Sequence, residues 1–93
     1  MITNTLHLMH SLRTKGGTIH QVAKSTGLTV SDILDLHLVP VANIIAYDHG
    51  LKAARLDVVD ISGYAYSTCK YKPERISFWR GVLDAYNTKN MCG

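Results

Sequence analysis

The segment TIHQVAKSTGLTVSDILDLHL, which begins at Thr18, constrains the fold more than any other part of the chain. Thr18 is followed three positions later by Gln21, and Thr29 is followed at the same distance by Asp32. This is the spacing of a capping box, in which two side chains satisfy backbone amides at the start of a helix. Between the two boxes lies Gly27, whose lack of a Cβ suits it to a sharp turn. The segment therefore predicts two short helices joined by a tight turn.

Small and aliphatic residues occupy the positions through which two such helices would pack. They are Ala23, Gly27, Leu28, Ile33 and Leu36. On these residues, and over positions 18–38 only, the segment resembles the helix-turn-helix of DNA-binding regulators. The resemblance implies a mainly α domain of roughly three to five helices. It also implies a small cytoplasmic regulator of transcription that binds DNA, encoded by a bacterium or by a mobile element such as a phage.

Helical spacing of apolar residues predicts further helices on both sides of this segment. An opening helix over residues 1–13 would cover the pair. Another helix would begin at Pro40, with Val41, Ile44 and Ile45 along it. It would either end or bend near Gly50 or be extended by Leu51, Ala54, Arg55 and Val58. A last helix opens at Pro73 with an acidic residue in its first turn. We expect one apolar face of this last helix to lie in the core. That face comprises Ile76, Trp79, Val82, Leu83 and Tyr86.

Residues 56–71 allow two interpretations. They are rich in valine, isoleucine, tyrosine and threonine, which favour strands, and Ser62 with Gly63 can form the turn of a β-hairpin. Such a hairpin would pack beside the helices and make the domain winged-helix-like. The alternative is a loop of irregular backbone.

Length and composition favour one domain over residues 1–86, followed by a flexible polar tail over residues 87–93. Ninety-three residues, of which 46% are hydrophobic, can form a core without metal or disulfide support. No apolar run has transmembrane length and the first residues do not resemble a secretion signal, so we expect a cytoplasmic protein without a membrane partner. Cys69 and Cys92 are then expected to be reduced thiols.

The basic residues are unevenly distributed. The net charge is +3, and residues 61–93 contain five basic residues against two acidic ones, whereas residues 1–60 carry five of each. Within residues 64–80, lysine and arginine are interleaved with aromatic rings, a composition suited to binding phosphates and stacking on bases. The candidate phosphate contacts are Lys15, Lys24, Lys70, Lys72, Arg75 and Arg80. The alternative is that the aromatic residues lie in the core and the cations form a solvated face.

The outer face of the second motif helix is unlike that of a DNA reader. Its groove-facing positions are Thr29, Val30, Ser31, Leu34, Asp35 and Leu38. None of these is Arg, Lys, Asn or Gln, the side chains that usually read base edges, so Thr29 and Ser31 are the candidate DNA contacts. Val30, Leu34 and Leu38 form an apolar stripe with i, i+4, i+8 spacing. Either another element buries this stripe, or it docks a partner protein or a second copy of the chain.

No pattern in the sequence indicates catalysis, a cofactor or a metal site. His7 and His10 could share a helix face, but no second pair at ligand spacing follows, and neither cysteine belongs to a CxxC motif. Nucleophile motifs and Gly-rich phosphate loops are also missing. Two hypotheses remain: a non-enzymatic DNA-binding regulator, or a protein-interaction module that uses the same scaffold to inhibit or redirect a partner protein.

Overall fold

A computed structural model describes residues 3–12 and 17–92 of the chain. This part of the protein contains six α-helices, one short 3-10 helix and no β-strand. The resemblance to helix-turn-helix proteins implied roughly three to five helices. In chain order the elements are α1 (Thr3–Leu12), α2 (Ile19–Thr26), α3 (Val30–Leu34), the 3-10 helix (Leu36–Leu38), α4 (Ile44–Arg55), α5 (Ile61–Thr68) and α6 (Lys72–Cys92). The prediction of a mainly α fold is confirmed, and α6 covers residues 87–92, where a tail was predicted. No helix in this part of the chain combines the length and apolar character needed to cross a membrane.

Both predicted capping boxes are present. At the start of α2 the Gln21 amide donates to Thr18 Oγ1 at 3.3 Å, and the Thr18 amide donates back to Gln21 Oε1 at 3.3 Å. At the start of α3 the Asp32 amide donates to Thr29 Oγ1 and the Thr29 amide to Asp32 Oδ2, each at 3.0 Å. Between the helices Gly27 has a φ of +74°, a conformation that residues with a Cβ rarely adopt. The prediction of two short helices and a tight turn is confirmed.

The core forms around α6, which packs against α1, α4, α5 and the 3-10 helix. The predicted apolar face of α6 is confirmed, because Trp79, Val82 and Leu83 are fully buried. Ile76 and Tyr86 are partly buried at the edge of the same face. α1 lies against both α2 and α3 and so covers the pair, as predicted. Other large core side chains are Leu8, Val22, Leu28, Ile33, Leu36 and Phe78.

α4 and α6 cross with their backbones in contact, because each helix has a glycine at the crossing. A Cβ on Gly50 of α4 would collide with the carbonyl of Phe78, and a Cβ on Gly81 of α6 would collide with the carbonyl of Tyr47. Of the two alternatives for this helix, an end near Gly50 is wrong and the extension is confirmed as far as Arg55, where α4 ends. Here glycine allows close packing and does not terminate the helix.

Residues 56–71 form α5 and its flanking turns, so the predictions of a β-hairpin and of an irregular loop are both wrong. Asp60 caps α5, because its Oδ1 accepts a 3.1 Å hydrogen bond from the Gly63 amide. Ile61 and Ala65, one helical turn apart, are both buried. Strand preference depends strongly on context, and here the burial of this pair at helical spacing decides the conformation. The domain therefore has no wing in this region.

α4 begins at Ile44, later than the predicted start at Pro40. Asn43 caps the helix, because its Oδ1 accepts a 3.0 Å hydrogen bond from the Ala46 amide. The backbone amide of Asn43 donates to Ser77 Oγ of α6, also at 3.0 Å. The chain between the 3-10 helix and α4 is therefore attached to α6 without being helical.

Candidate functional surfaces

α3 is too short to present the outer face predicted from the sequence. It ends at Leu34 after five residues, and the chain continues as the 3-10 helix. The predicted stripe therefore does not lie on one helix, since Val30 and Leu34 belong to α3 and Leu38 to the 3-10 helix. Val30 is half-buried, whereas Leu34 and Leu38 are 42% and 70% exposed. The prediction of a continuous stripe is wrong, but its last two members lie at the surface.

The polar groups on α3 are partly used within the protein. Thr29 caps the helix, and Asp32 forms an ion pair of 3.1 Å with Lys72 at the start of α6. Burial alone would raise the pKa of Asp32, but hydrogen bonds from the Thr29 amide and the Lys72 ammonium outweigh it and hold the pKa below its ordinary value. Thr29 thus caps α3, and both Thr29 and Ser31 lie at the surface.

Arg80, one of the predicted phosphate contacts, has several partners within the protein. Its Nη1 donates to the carbonyl oxygens of Val39 at 2.6 Å and Leu36 at 3.2 Å. Its Nε pairs with Asp84 at 3.2 Å, and Asp84 also accepts a 2.6 Å hydrogen bond from the Tyr47 hydroxyl. That hydrogen bond to Asp84, together with burial, raises the pKa of Tyr47. The guanidinium therefore bonds to the first residue of the 3-10 helix and to the residue that directly follows the helix.

Four residues near the tight turn form one group, which we call the basic cluster: Lys24, Tyr66, Lys70 and Arg75. The Tyr66 hydroxyl donates to the Lys24 carbonyl at 3.1 Å. The Arg75 guanidinium lies over the Tyr66 ring, 5.7 Å from its centre, in a cation–π contact. Arg75 Nη2 also donates to the Lys70 carbonyl at 3.4 Å. The structure thus brings three of the residues predicted to contact phosphates close together, since Lys24 and Arg75 contact Tyr66 and Lys70 contacts Arg75.

The basic cluster lies directly on the tight turn. A Cβ on Gly27 would lie 3.2 Å from Tyr66 Oη and 3.3 Å from Arg75 Cδ. Lys24, Lys70 and Tyr66 are exposed, and Arg75 is half-buried between the turn and the tyrosine ring. The surface beside the turn therefore includes the exposed residues Lys24, Lys70 and Tyr66 and the half-buried Arg75.

Two carboxylates beside the basic cluster have structural hydrogen bonds or ion pairs. Glu74 Oε1 accepts from the backbone amides of Lys70 at 3.1 Å and Tyr71 at 2.9 Å, at the start of α6. Asp32 is paired with Lys72, whose side chain is half-exposed. The region contains these two carboxylates and four cations, which are Lys72 and the three cations of the cluster. Its net charge is therefore +2. Lys72 is therefore partly neutralised, and the cluster itself carries the positive charge.

A second surface lies in residues 36–47, which contain no Asp, Glu, Lys or Arg. Four aliphatic residues here are exposed, by 70% at Leu38, 36% at Val41, 77% at Ile44 and 72% at Ile45. We call these four residues the apolar segment. The sequence prediction placed Val41, Ile44 and Ile45 along a helix and did not identify them as surface. The missed signal is the absence of charge over the whole stretch, because a helix with one solvated face normally carries charged residues.

Reactive side chains are few in the described part of the chain, which contains no group of three His, Cys, Asp or Glu able to hold a metal ion. Cys69 is a buried free thiol, and burial raises its pKa, so the reactive thiolate is disfavoured. The His7 ring stacks on Tyr86 with ring centres 6.1 Å apart, and burial lowers the pKa of His7. Lys15 and the side chain of Cys92 lie outside the described residues. The two surfaces are therefore the candidate sites.

Comparison of the chain with protein-family models, with curated proteins and with solved structures found no match in any of the three. The likeness to helix-turn-helix proteins thus rests on residues 18–38 alone. The chemistry of the two surfaces is the basis on which a function is assigned.

Proposed function

We propose that this protein is a small non-enzymatic DNA-binding protein that holds duplex DNA through phosphate contacts of the basic cluster. The observation that carries the proposal is the chain of contacts in the basic cluster, in which Tyr66 contacts the Lys24 carbonyl and the Arg75 guanidinium, and Arg75 in turn contacts the Lys70 carbonyl. Lysine, arginine and tyrosine are common donors to phosphate oxygens. Lys24 and Lys70 are exposed, so their charge can displace counterions from a phosphate backbone.

The packing around the tight turn supports duplex DNA as the ligand. α2, the Gly27 turn and α3 lie together beneath α1. In helix-turn-helix proteins with such an arrangement the first motif helix crosses the DNA backbone. Lys24 lies in the last turn of α2, next to the rest of the basic cluster. A duplex that contacts α2 in this way brings its phosphates to the cluster.

We expect these phosphate contacts to come with little reading of base edges. α3 has five residues and carries Asp32, and Asp35 follows it directly. Carboxylates are repelled by the phosphates that flank the major groove, and the usual base-reading side chains do not occur on this face. Affinity should therefore differ little between duplexes of different sequence.

The test is a fluorescence-anisotropy titration of labelled duplex DNA at several salt concentrations. Three phosphate contacts predict a slope of about −3 in log K against log salt concentration, since each contact contributes roughly −0.9. The variant Lys24→Glu/Lys70→Glu reverses two exposed charges of the cluster. We expect it to lower the affinity by at least about tenfold, because both neighbouring phosphates are then repelled.

The matched control is Lys52→Glu/Arg55→Glu, which makes the same change in net charge at exposed positions of α4. It should retain most of the affinity for DNA. An equal loss in both variants would mean that net charge alone attracts DNA, and undetectable binding at low salt would overturn the proposal. Tighter binding of a single strand of the same length would also contradict duplex DNA as the ligand.

A further inference from the structure

We infer that the protein forms a two-fold symmetric homodimer in which the apolar segment of one copy packs against the same segment of the other. The segment consists of Leu38, Val41, Ile44 and Ile45. It shares no residue with the basic cluster, so the inference goes beyond DNA binding and does not depend on it.

The exposure of the apolar segment is the first observation behind the dimer. Leu38, Ile44 and Ile45 are each at least 70% exposed, within eight consecutive residues. Single exposed aliphatic residues are normal, but several together on a small protein mark an interaction site. The hydrophobic effect favours removing such a group from water, and packing against a second copy achieves this.

The backbone beneath the apolar segment is held in place. Val39 accepts the 2.6 Å hydrogen bond from Arg80, and the Asn43 amide donates to Ser77 Oγ at 3.0 Å. Asn43 also caps α4. The aliphatic side chains are therefore presented by a backbone attached to the core at both ends. Little backbone freedom is therefore lost when these side chains are buried, and lost conformational freedom is one of the main costs of association.

The distribution of charge in and around the apolar segment favours a second copy of the chain as the partner that covers it. In a two-fold interface each patch meets an identical patch, so a patch with one sign of charge would repel itself. The apolar segment avoids this repulsion, because no Asp, Glu, Lys or Arg occurs from residue 36 to residue 47. The next charged residues on α4 are Asp48 and Lys52, which pair at 2.9 Å and offer both signs at the rim. This surface is complementary to itself, whereas a partner of a particular charge would find no counterpart within the segment.

The test is sedimentation equilibrium of the full chain, over protein concentrations from about 1 µM to about 1 mM. We expect the mass to rise with concentration toward twice the 10.3 kDa of one chain. The variant Ile44→Glu/Ile45→Glu should remain a monomer over this range, with the dissociation constant raised by at least about hundredfold, because it would place unpaired carboxylates in the interface. Both positions lie in the first turn of α4, where negative charge favours the helix. An unchanged far-UV CD spectrum would show that this variant still folds.

The matched control is Leu56→Glu/Val59→Glu, which changes the same number of exposed aliphatic residues outside the apolar segment. It should dimerise like the wild type. If the wild-type mass is that of one chain at every concentration, the inference is wrong, and a different protein would be the partner of the apolar segment. The inference is also wrong if both variants weaken the dimer equally, or if neither variant weakens it.

Discussion

The indole Nε1 of Trp79 donates a 3.1 Å hydrogen bond to the carbonyl oxygen of Thr26, which lies 53 positions earlier in the chain. Both residues are buried. The Thr26 hydroxyl in turn donates to the Val22 carbonyl at 2.8 Å, within the last turn of α2. α6 is therefore joined to the end of α2, directly before the Gly27 turn. Through this bond the core helix determines where the tight turn and the basic cluster lie.

Trp79→Phe should lower the free energy of unfolding by about 2 kcal/mol or more. The smaller ring leaves a cavity, and a buried acceptor without its donor costs roughly 1–3 kcal/mol. Urea unfolding followed by far-UV CD measures the loss. Tyr71→Phe is the control, since Tyr71 is exposed, and it should change stability by less than about 0.5 kcal/mol. Equal stability of the Trp79→Phe variant and the wild type would contradict the role of this hydrogen bond.

Local features of the fold could be predicted where the deciding residues are close in sequence. The capping boxes act over three positions, and the conformation of Gly27 follows from its own lack of a Cβ. α5 could not be predicted in this way. Tyr64 and Tyr66 favour strands, but the Tyr66 hydroxyl bonds to a carbonyl 42 positions earlier, and Ile61 is buried in a core built from distant helices. Such contacts leave no local pattern.

Gly50→Ala should destabilise the protein by about 2 kcal/mol, although alanine is the better helix former by roughly 1 kcal/mol. The added Cβ would collide with the Phe78 carbonyl, and backbone atoms cannot move aside as a flexible side chain can. The change is measured as a lower midpoint of thermal unfolding. Lys52→Ala, at an exposed position of the same helix, is the control and should have little effect. A higher midpoint for Gly50→Ala would contradict the backbone contact between α4 and α6.

Arg80→Lys should lower the free energy of unfolding by about 1–2 kcal/mol. An ammonium group lacks the planar fork that reaches Asp84 and two carbonyls at once. The chain between the 3-10 helix and α4 should then open more readily, so limited proteolysis within residues 36–43 should become faster. Arg55→Lys, exposed on α4, is the control. Unchanged stability and unchanged cleavage in Arg80→Lys would contradict the structural role of this guanidinium.

The candidate site was only partly predictable for the same physical reason. Lysine and arginine residues can be identified from the sequence, but whether each is available depends on its partner in space. Arg80 bonds to the backbone carbonyls of Leu36 and Val39, and no pattern of side chains reveals a carbonyl as a partner. Arg75 and the backbone of Lys24 are both contacted by Tyr66, which lies far from Lys24 in sequence. The apolar segment, by contrast, could have been identified from the sequence, because residues 36–47 contain no Asp, Glu, Lys or Arg.

Asp32→Ala should lower the free energy of unfolding at pH 7 by about 1 kcal/mol, since it removes the acceptor of the Thr29 amide and the ion-pair partner of Lys72. The pKa of Asp32 in the folded protein lies below the ordinary value of 3.8. The stabilisation from its charge is therefore fully present above that ordinary value and is lost as the pH falls through the folded pKa. The stability difference between wild type and variant should be constant from pH 7 to about pH 5 and should narrow below about pH 4.

Urea unfolding of both proteins at neutral and acidic pH checks this dependence. Asp35→Ala is the control, because Asp35 is exposed at the end of α3, and it should change stability by less than about 0.5 kcal/mol at each pH. If the Asp32→Ala difference were the same at about pH 3 as at pH 7, the charge of the carboxylate would contribute nothing, and the capping hydrogen bond alone would account for the loss.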